Sequence, residues 1–377
     1  MLTVAIPQLY GGASGQKGAY NRQEVGLARA FAALGCRAVV LYPDAQLTEV
    51  QTEDLEPFVR VLTCPARMLG VSAFYRSWQP LLDEGVQAVH LMGDNALGVP
   101  GLEKFCRKHD IFLYHQIGAL YSTSHSLLLR GIMDMLLVRN LAVYRRTPTF
   151  AKTPSMAGQL QRAKVPCRGV MPVGLDTAII PPPNGSRAEA REALGLAPDG
   201  KYLLFVGRID PYKHPLDLVP LLAALPGWEA IVIGQGSLSN DLREGFAAAG
   251  LAQRCHIIPK LDNRAVHIYY LACDVFVNLN PDEIFGMSLL EAMYAGCPPV
   301  ARHAPGPDFI IEDGVSGLLT GQGVAALAEA VRRAAADPEL GPAAQKRIRE
   351  HFLWGSSAEQ ALALLAEQGL GRTPRTE

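Results

Sequence analysis

Alternation of buried-strand and amphipathic-helix patterns, broken once and then restarted, constrains this chain more than any single motif. The apolar runs LTVAIP, RAVVLYP, VQAVHLMG and IFLYHQI are separated by helical patterns at Tyr20 to Leu34, closed by Gly35, and around Gly101 to Lys108. An apolar helical stretch from Ser126 to Tyr144 follows, and TFAKTP and CRGVMPVG read as the last strands of this half. Strands that alternate with helices build parallel sheets covered on both faces. The break is IIPPPNGS, where three prolines and Asn-Gly cannot continue a strand or a helix. Ser186 then caps a new helix, and the pattern restarts with KYLLFVG, EAIVIG, RCHII, VFVNL and PPVAR. At 377 residues the chain is too long for one ordinary core. The expected fold is α/β, with two doubly wound Rossmann-like domains at residues 1–180 and 181–353. A capped amphipathic helix, WGSSAEQALALLAEQ, opens a final segment 354–377 whose tail from Gly371 is expected to fray. Two such halves place ligands at the carboxyl ends of their strands, facing a central cleft.

Chemistry-bearing residues gather where these strands end. Glu283 and Glu291 stand eight positions apart in NPDEIFGMSLLEAMYAGCPPV, the first in a loop and the second two turns into a helix. Backbone N–H groups from about Phe285 to Ser288, through Gly286 and Met287, point out of that helix start and suit an anion. A carboxylate beside an anion site makes sense if the ligand also carries hydroxyls. Taken alone, the pair reads as two solvated helix glutamates, and it is the surrounding glycines and prolines that point to a site. Arg208 and Lys213 follow a buried strand in FVGRIDPYKHP, where fixed cations would stabilise a diphosphate gaining charge without a metal. The alternative is a solvated basic turn. Gly234 and Gly236 close another strand in IVIGQGS, as a ligand rim or a plain turn into a helix. His115 ends IFLYH, a position that is more often structural. Gly15 and Gly18 lie in YGGASGQKGAYNRQE after the first strand, with no G-x-G-x-x-G fingerprint of a dinucleotide-binding dehydrogenase. D-x-D, the pair that holds a metal on a diphosphate, occurs nowhere, and no metal ligands are expected.

The segment PDEIFGMSLLEAMYAGCPPVARHAPGPDFIIEDGVSGLL, preceded in order by VMPVGLDT, LLFVGRIDPYKHP and IVIGQGS, resembles the donor-binding signature of retaining family-4 glycosyltransferases. The resemblance spans residues 170 to 319 and implies the two-domain GT-B fold, with the last helix crossing back onto the first domain. It implies that Arg208 and Lys213 hold the donor diphosphate, approached closely by Gly207, Gly234, Gly236 and the start Ile284 to Ser288. Glu283 would contact sugar hydroxyls near the reacting carbon, and Glu291 the ribose hydroxyls. Pro259, Lys260 and Leu261 would read the base through backbone atoms, His115 would sit beside the donor sugar, and Gly15 and Gly18 would border it from the first domain. Where the family shows Gly-Gly at the first helix start, this chain has Gly18-Ala19. The implied reaction moves a sugar, with retention, from a UDP- or GDP-linked donor to an acceptor hydroxyl in envelope polysaccharide, glycolipid or other glycoconjugate synthesis, with no cofactor. An epimerase or phosphorylase of the same fold is the runner-up, and a non-catalytic two-domain sugar-binding protein the third reading. That third reading is disfavoured by the cations and by an N-terminus that enters a strand without a basic leader.

Composition narrows the setting. Seven cysteines, at 36, 64, 106, 167, 255, 273 and 297, form no C-x-x-C and mostly sit in apolar runs, as reduced thiols of the cytoplasm do. No run of 18 apolar residues predicts a membrane span. Residues 1–175 hold 18 Lys and Arg against 12 Asp and Glu, and the remainder 17 against 24. The basic half is either a solubility accident or the side that meets an anionic or lipid-linked acceptor at the inner membrane face. No nucleic-acid partner is expected.

Overall fold

The computed structural model describes residues 1–11, 22–121, 127–180, 185–259 and 261–370, with the side chains of 127–130, 132 and 263 outside the description. Gly15, Gly18 and Lys260 lie outside the described residues. The chain forms two compact units, Met1–Asp176 together with Trp354–Glu377, and Thr177–Leu353.

Unit 1 contains, among the described residues, β1 (Thr3–Pro7), β2 (Arg37–Asp44), β3 (Gln51–Glu56), β4 (Val59–Leu69), β5 (Ser72–Tyr75), β6 (Ala88–Leu91), β7 (Phe112–Ile117), β8 (Thr149–Ala151) and β9 (Cys167–Val170). They run in the order β3-β4-β2-β1-β6-β7-β8-β9, with β5 on β4. Every pairing is parallel except those of β3 and β5 with β4. All five residues of β1 are buried, as befits a strand covered on both faces. The β3–β5 excursion is not anticipated by the sequence reading. Its first strand, QTEDLE, is exposed at almost every position, so no apolar period marks it. The helix Gln23–Ala33 packs against the helix Trp354–Glu367. Gly26 makes that approach possible, since a Cβ there would lie 2.6 Å from Trp354 Nε1. Ser357 Oγ donates to the Pro172 carbonyl at 2.7 Å, fixing the terminal helix to unit 1.

The first helix of unit 2, Arg187–Leu194, starts at the predicted cap. Ser186 Oγ accepts from Glu189 N at 3.2 Å, and the Glu189 carboxylate accepts from Ser186 N at 2.6 Å, a reciprocal capping box. Gly195, at φ +67°, closes that helix. The strands are β10 (Lys201–Val206), β11 (Trp228–Ile233), β12 (Cys255–Ile258), β13 (Val275–Asn278), β14 (Pro299–Arg302) and β15 (Leu318–Thr320). Their order is β12-β11-β10-β13-β14-β15, all parallel. Leu203, Phe205, Val232, Val275 and Val277 pack with Leu221, Leu222 and Val331 in its core. The chain walks outward from β10 to β12, then returns to start β13 on β10's other side. The loops leaving β10 and β13 therefore diverge, and a crevice opens between them at the strand ends.

Candidate active site

The loop after β10 is shaped by one carboxylate. Asp210 Oδ1 accepts from Ser237 N at 2.7 Å and from Ser237 Oγ at 2.9 Å, and Oδ2 accepts from Arg208 Nε at 2.5 Å. The Ser237 amide, ahead of the Arg208 guanidinium, holds Asp210 below the usual carboxylate range. Arg208 itself is two-thirds exposed and free to meet a ligand. Pro211 opens a 3-10 turn that ends at Lys213. Gly234 and Gly236 have backbone reasons to be small, whereas a Cβ on Gly207 would make only ordinary contact with the Phe205 ring. A Cβ on Gly234, at φ +148°, would lie 1.9 Å from the Gly207 carbonyl oxygen, and one on Gly236 would lie 2.3 Å from that of Ile209. The loops after β10 and β11 thus touch backbone to backbone, which the sequence left open between rim and turn.

The loop after β13 winds through side chain to backbone bonds. Asn278 Oδ1 accepts from Asn280 N at 3.1 Å, and Asn280 Oδ1 from Asp282 N at 3.0 Å. This delivers the Glu283 carboxylate to Lys213 Nζ, with Asn278 Nδ2 at 3.5 Å from the same oxygen. The Glu283 carbonyl accepts from Gly306 N at 2.8 Å, and a Cβ on Gly306 would lie 2.3 Å from the Phe285 carbonyl oxygen. Phe285 is buried edge-on to Phe352, with ring centroids 6.4 Å apart, while Ile284 is exposed. Gly286, at φ +100°, turns the chain into the helix Met287–Tyr294, so Met287 and Ser288 form its first turn. That turn stands beside the Lys213–Glu283 pair, an ion pair next to outward-facing amides.

Glu291 lies in the second turn of the same helix. It is fully buried, and its carboxylate accepts from the Tyr270 hydroxyl at 3.0 Å. Pro259 is exposed at the end of β12, and Leu261 is half-buried.

In unit 1 the corresponding strand ends carry a different set. His115 does not end β7. The strand runs on through Gln116 and Ile117, and His115 pairs with Leu91 and Thr149 inside the sheet. It is fully buried edge-on to Tyr144, at 4.9 Å, and neither ring nitrogen has a hydrogen-bond partner among the described residues. Burial, with a smaller contribution from His90, pushes its pKa down to about 3, so the ring is neutral. The strand-end position belongs to Gly118, whose N–H donates to Asp94 Oδ1 at 2.5 Å. Lys152, just past β8, pairs with Asp94 Oδ2 at 2.8 Å. Below them Glu24 is buried, accepting from Gln8 Nε2 at 2.6 Å and the Tyr42 hydroxyl at 3.2 Å, and desolvation raises its pKa. The sequence reading missed Asp94 and Lys152. The signal was available, since Lys152 directly follows β8 and Asp94 stands three residues past β6.

Comparison with known proteins follows the same division. Residues 186–351 match the model of the family described as glycosyl transferases group 1. A D-inositol 3-phosphate glycosyltransferase of Actinosynnema mirum is 35% identical over 211 residues, 52% of this chain and 50% of the relative. Its counterpart in Geodermatophilus obscurus is 34% identical over 208 residues, 52% of this chain and 46% of the relative. The chain spans about half the length of the curated relatives it matches. Among solved structures, sucrose-phosphate synthase of Thermosynechococcus elongatus aligns with a TM-score of 0.79 at 21% identity, covering 98% of this chain and 99% of the other. HepE of Anabaena, solved with UDP, aligns with a TM-score of 0.71 at 20% identity, covering 97% and 100%.

The fold is GT-B. In this GT-B chain the described residues singled out from sequence do not all fall together. Arg208, Lys213, Glu283, Gly207, Gly234, Gly236 and the start Ile284 to Ser288 come together at the ends of β10, β11 and β13. Glu291 and His115 are buried in their units. Asn278, Asp210 and Ser237, which shape the site's two loops, were not anticipated.

Proposed function

We propose that this chain is a retaining family-4 glycosyltransferase that moves a sugar from a nucleotide-diphosphate sugar to an acceptor hydroxyl. The observation that carries the reading is the Lys213–Glu283 pair, set where the loops of β10 and β13 diverge and beside the start of the helix Met287–Tyr294. Lys213, Arg208 and the first-turn amides suit the diphosphate, whose negative charge grows as the sugar leaves. Glu283, released from Lys213 when the diphosphate arrives, accepts hydrogen bonds from sugar hydroxyls and fixes the reacting carbon. The bond from that carbon to the diphosphate oxygen breaks as the bond to the acceptor oxygen forms on the same face. The acceptor's proton passes to the departing phosphate oxygen, so no protein nucleophile takes part. Glu291 would meet the ribose only if the donor reaches a carboxylate that solvent does not. The resemblance of D-inositol 3-phosphate glycosyltransferases and of UDP-bound HepE supports a nucleotide-sugar donor, UDP- or GDP-linked.

The acceptor side is assigned to unit 1, and an anionic or lipid-linked acceptor in the cytoplasm fits its charge. Among the described residues no helix is long and apolar enough to cross a membrane. The helix Leu127–Tyr144 instead exposes Met135 and Val138, 67% and 59% accessible, with Arg139 exposed alongside and Arg145 and Arg146 just past its end. A face of that kind suits peripheral contact with anionic lipid. Nucleotide sugars screened by thermal shift, then product anomers read by NMR, test the function. Retained configuration supports it, and an inverted product refutes it. Sedimentation with anionic but not neutral vesicles, weakened by salt, supports the membrane contact, and no binding at low salt removes it.

A further inference from the structure

Arg302 is the last residue of β14 and is 4% exposed. A buried guanidinium is costly unless its donors are used. Here Nη1 donates to the Leu279 carbonyl at 2.9 Å and faces Asp217 Oδ2 at 2.7 Å, while Nη2 donates to the Gln322 carbonyl at 3.2 Å. Leu279 is the residue directly after β13, four before Glu283, and is fully buried. Asp217 stands four residues after Lys213, at the end of the next 3-10 turn. One planar nitrogen therefore grips both chain segments whose side chains meet in the Lys213–Glu283 pair, from behind the loops and without touching the pair. The guanidinium's fixed plane also carries Nη2 to the Gln322 carbonyl, a second anchor that the single nitrogen of a lysine lacks.

We propose that Arg302 is a positioning residue that holds the Lys213 and Glu283 loops at working separation by bonding Asp217 and Leu279 through one guanidinium nitrogen. This rests on the reading of Lys213 and Glu283 as donor-site residues. The link itself is a property of the free protein and can be tested without turnover.

The test uses the full chain with Arg302→Met, Asp217→Asn and the double substitution. Hydrogen–deuterium exchange on the free protein should accelerate in residues 211–217 and 279–286 of each variant and stay unchanged across β1 and β2. Kinetics with the nucleotide sugar that the wild type turns over should show kcat reduced roughly a hundredfold in Arg302→Met, because a small misplacement is enough to spoil alignment. Donor KM should stay within about threefold, since the phosphate-binding cations remain. The double variant should be no worse than Arg302→Met, as expected of two ends of one link. A folded Arg302→Met with wild-type kcat overturns the proposal. So do losses that add in the double variant, or exchange that rises everywhere or nowhere. If Arg302→Met fails to fold, Asp217→Asn, whose side chain is one-third exposed, carries both readouts. If the wild type turns over no nucleotide sugar, the functional reading falls and the exchange pattern decides the link by itself.

Discussion

The two units use one sheet architecture and put different things at its carboxyl rim. In unit 2 the rim presents an ion pair, an exposed arginine and a helix start around a crevice, on loops locked backbone to backbone. In unit 1 the rim is a polar network, Lys152 to Asp94 to the Gly118 amide, with a buried glutamate and a buried histidine in the same unit. The difference shows in the backbone: in unit 2, Gly234, Gly236 and Gly306 are demanded by close contact with backbone carbonyls.

The largest expected effect breaks the comparison if it fails. Glu283→Ala and Lys213→Ala should each cost on the order of 3 kcal/mol of transition-state stabilisation, a hundredfold or more in rate, with thermal unfolding little changed. Near-normal turnover by either variant would move the chemistry away from unit 2. Gly234→Ala should destabilise unit 2 by roughly 3 kcal/mol, because the new methyl meets a carbonyl at a left-handed position. Gly321→Ala, where a Cβ meets nothing within 4 Å, should stay within about 0.5 kcal/mol. Equal urea midpoints for the two would show that the loops are not packed as described.

Unit 1 is sharpened by pH. The folded pKa of His115 is pushed down to about 3 and that of His90 to about 4, while an unfolded imidazole titrates near 6.5. The unfolded chain therefore binds protons first. Stability is whole above about pH 6.5 and drains as pH falls toward the folded values, by roughly 3 kcal/mol at pH 4 for His115. Urea unfolding from pH 7 to pH 4 should show that slope, and His115→Gln should lessen it without abolishing it, since His90 still titrates. An unchanged slope in the variant would mean that His115 is hydrated. The smallest effect concerns the acceptor. Lys152→Met should raise acceptor KM several-fold and leave donor KM alone, and a shift in donor KM instead would erase the division of labour between the units.

Legibility followed the same line. β10 to β14 were readable because each is a short, largely apolar run ended by glycine, proline, asparagine or a charge, and the Arg208, Lys213 and Glu283 constellation sits past the ends of β10 and β13. The β3–β5 excursion was not, since an exposed antiparallel edge carries no burial period. His115 was misplaced by two residues of strand: Gln116 looks like a polar stop, yet its side chain spends its hydrogens on the Met171 and Pro172 carbonyls inside the sheet. The burial of Glu291 was not legible because SLLEAMY is apolar on both sides of it, and sequence cannot say that the Tyr270 hydroxyl waits there.

The helix Trp354–Glu367 belongs to unit 1, although all of unit 2 lies between them in the chain. During synthesis the ribosome must therefore deliver every residue of unit 2 before unit 1 receives its last wall. Until then the groove over Gly26 that takes the Trp354 indole stands open to water. The second half of the gene is thus a timer on the completion of the first, and a stop codon at 354 would leave a finished unit 2 tethered to a unit 1 without its lid.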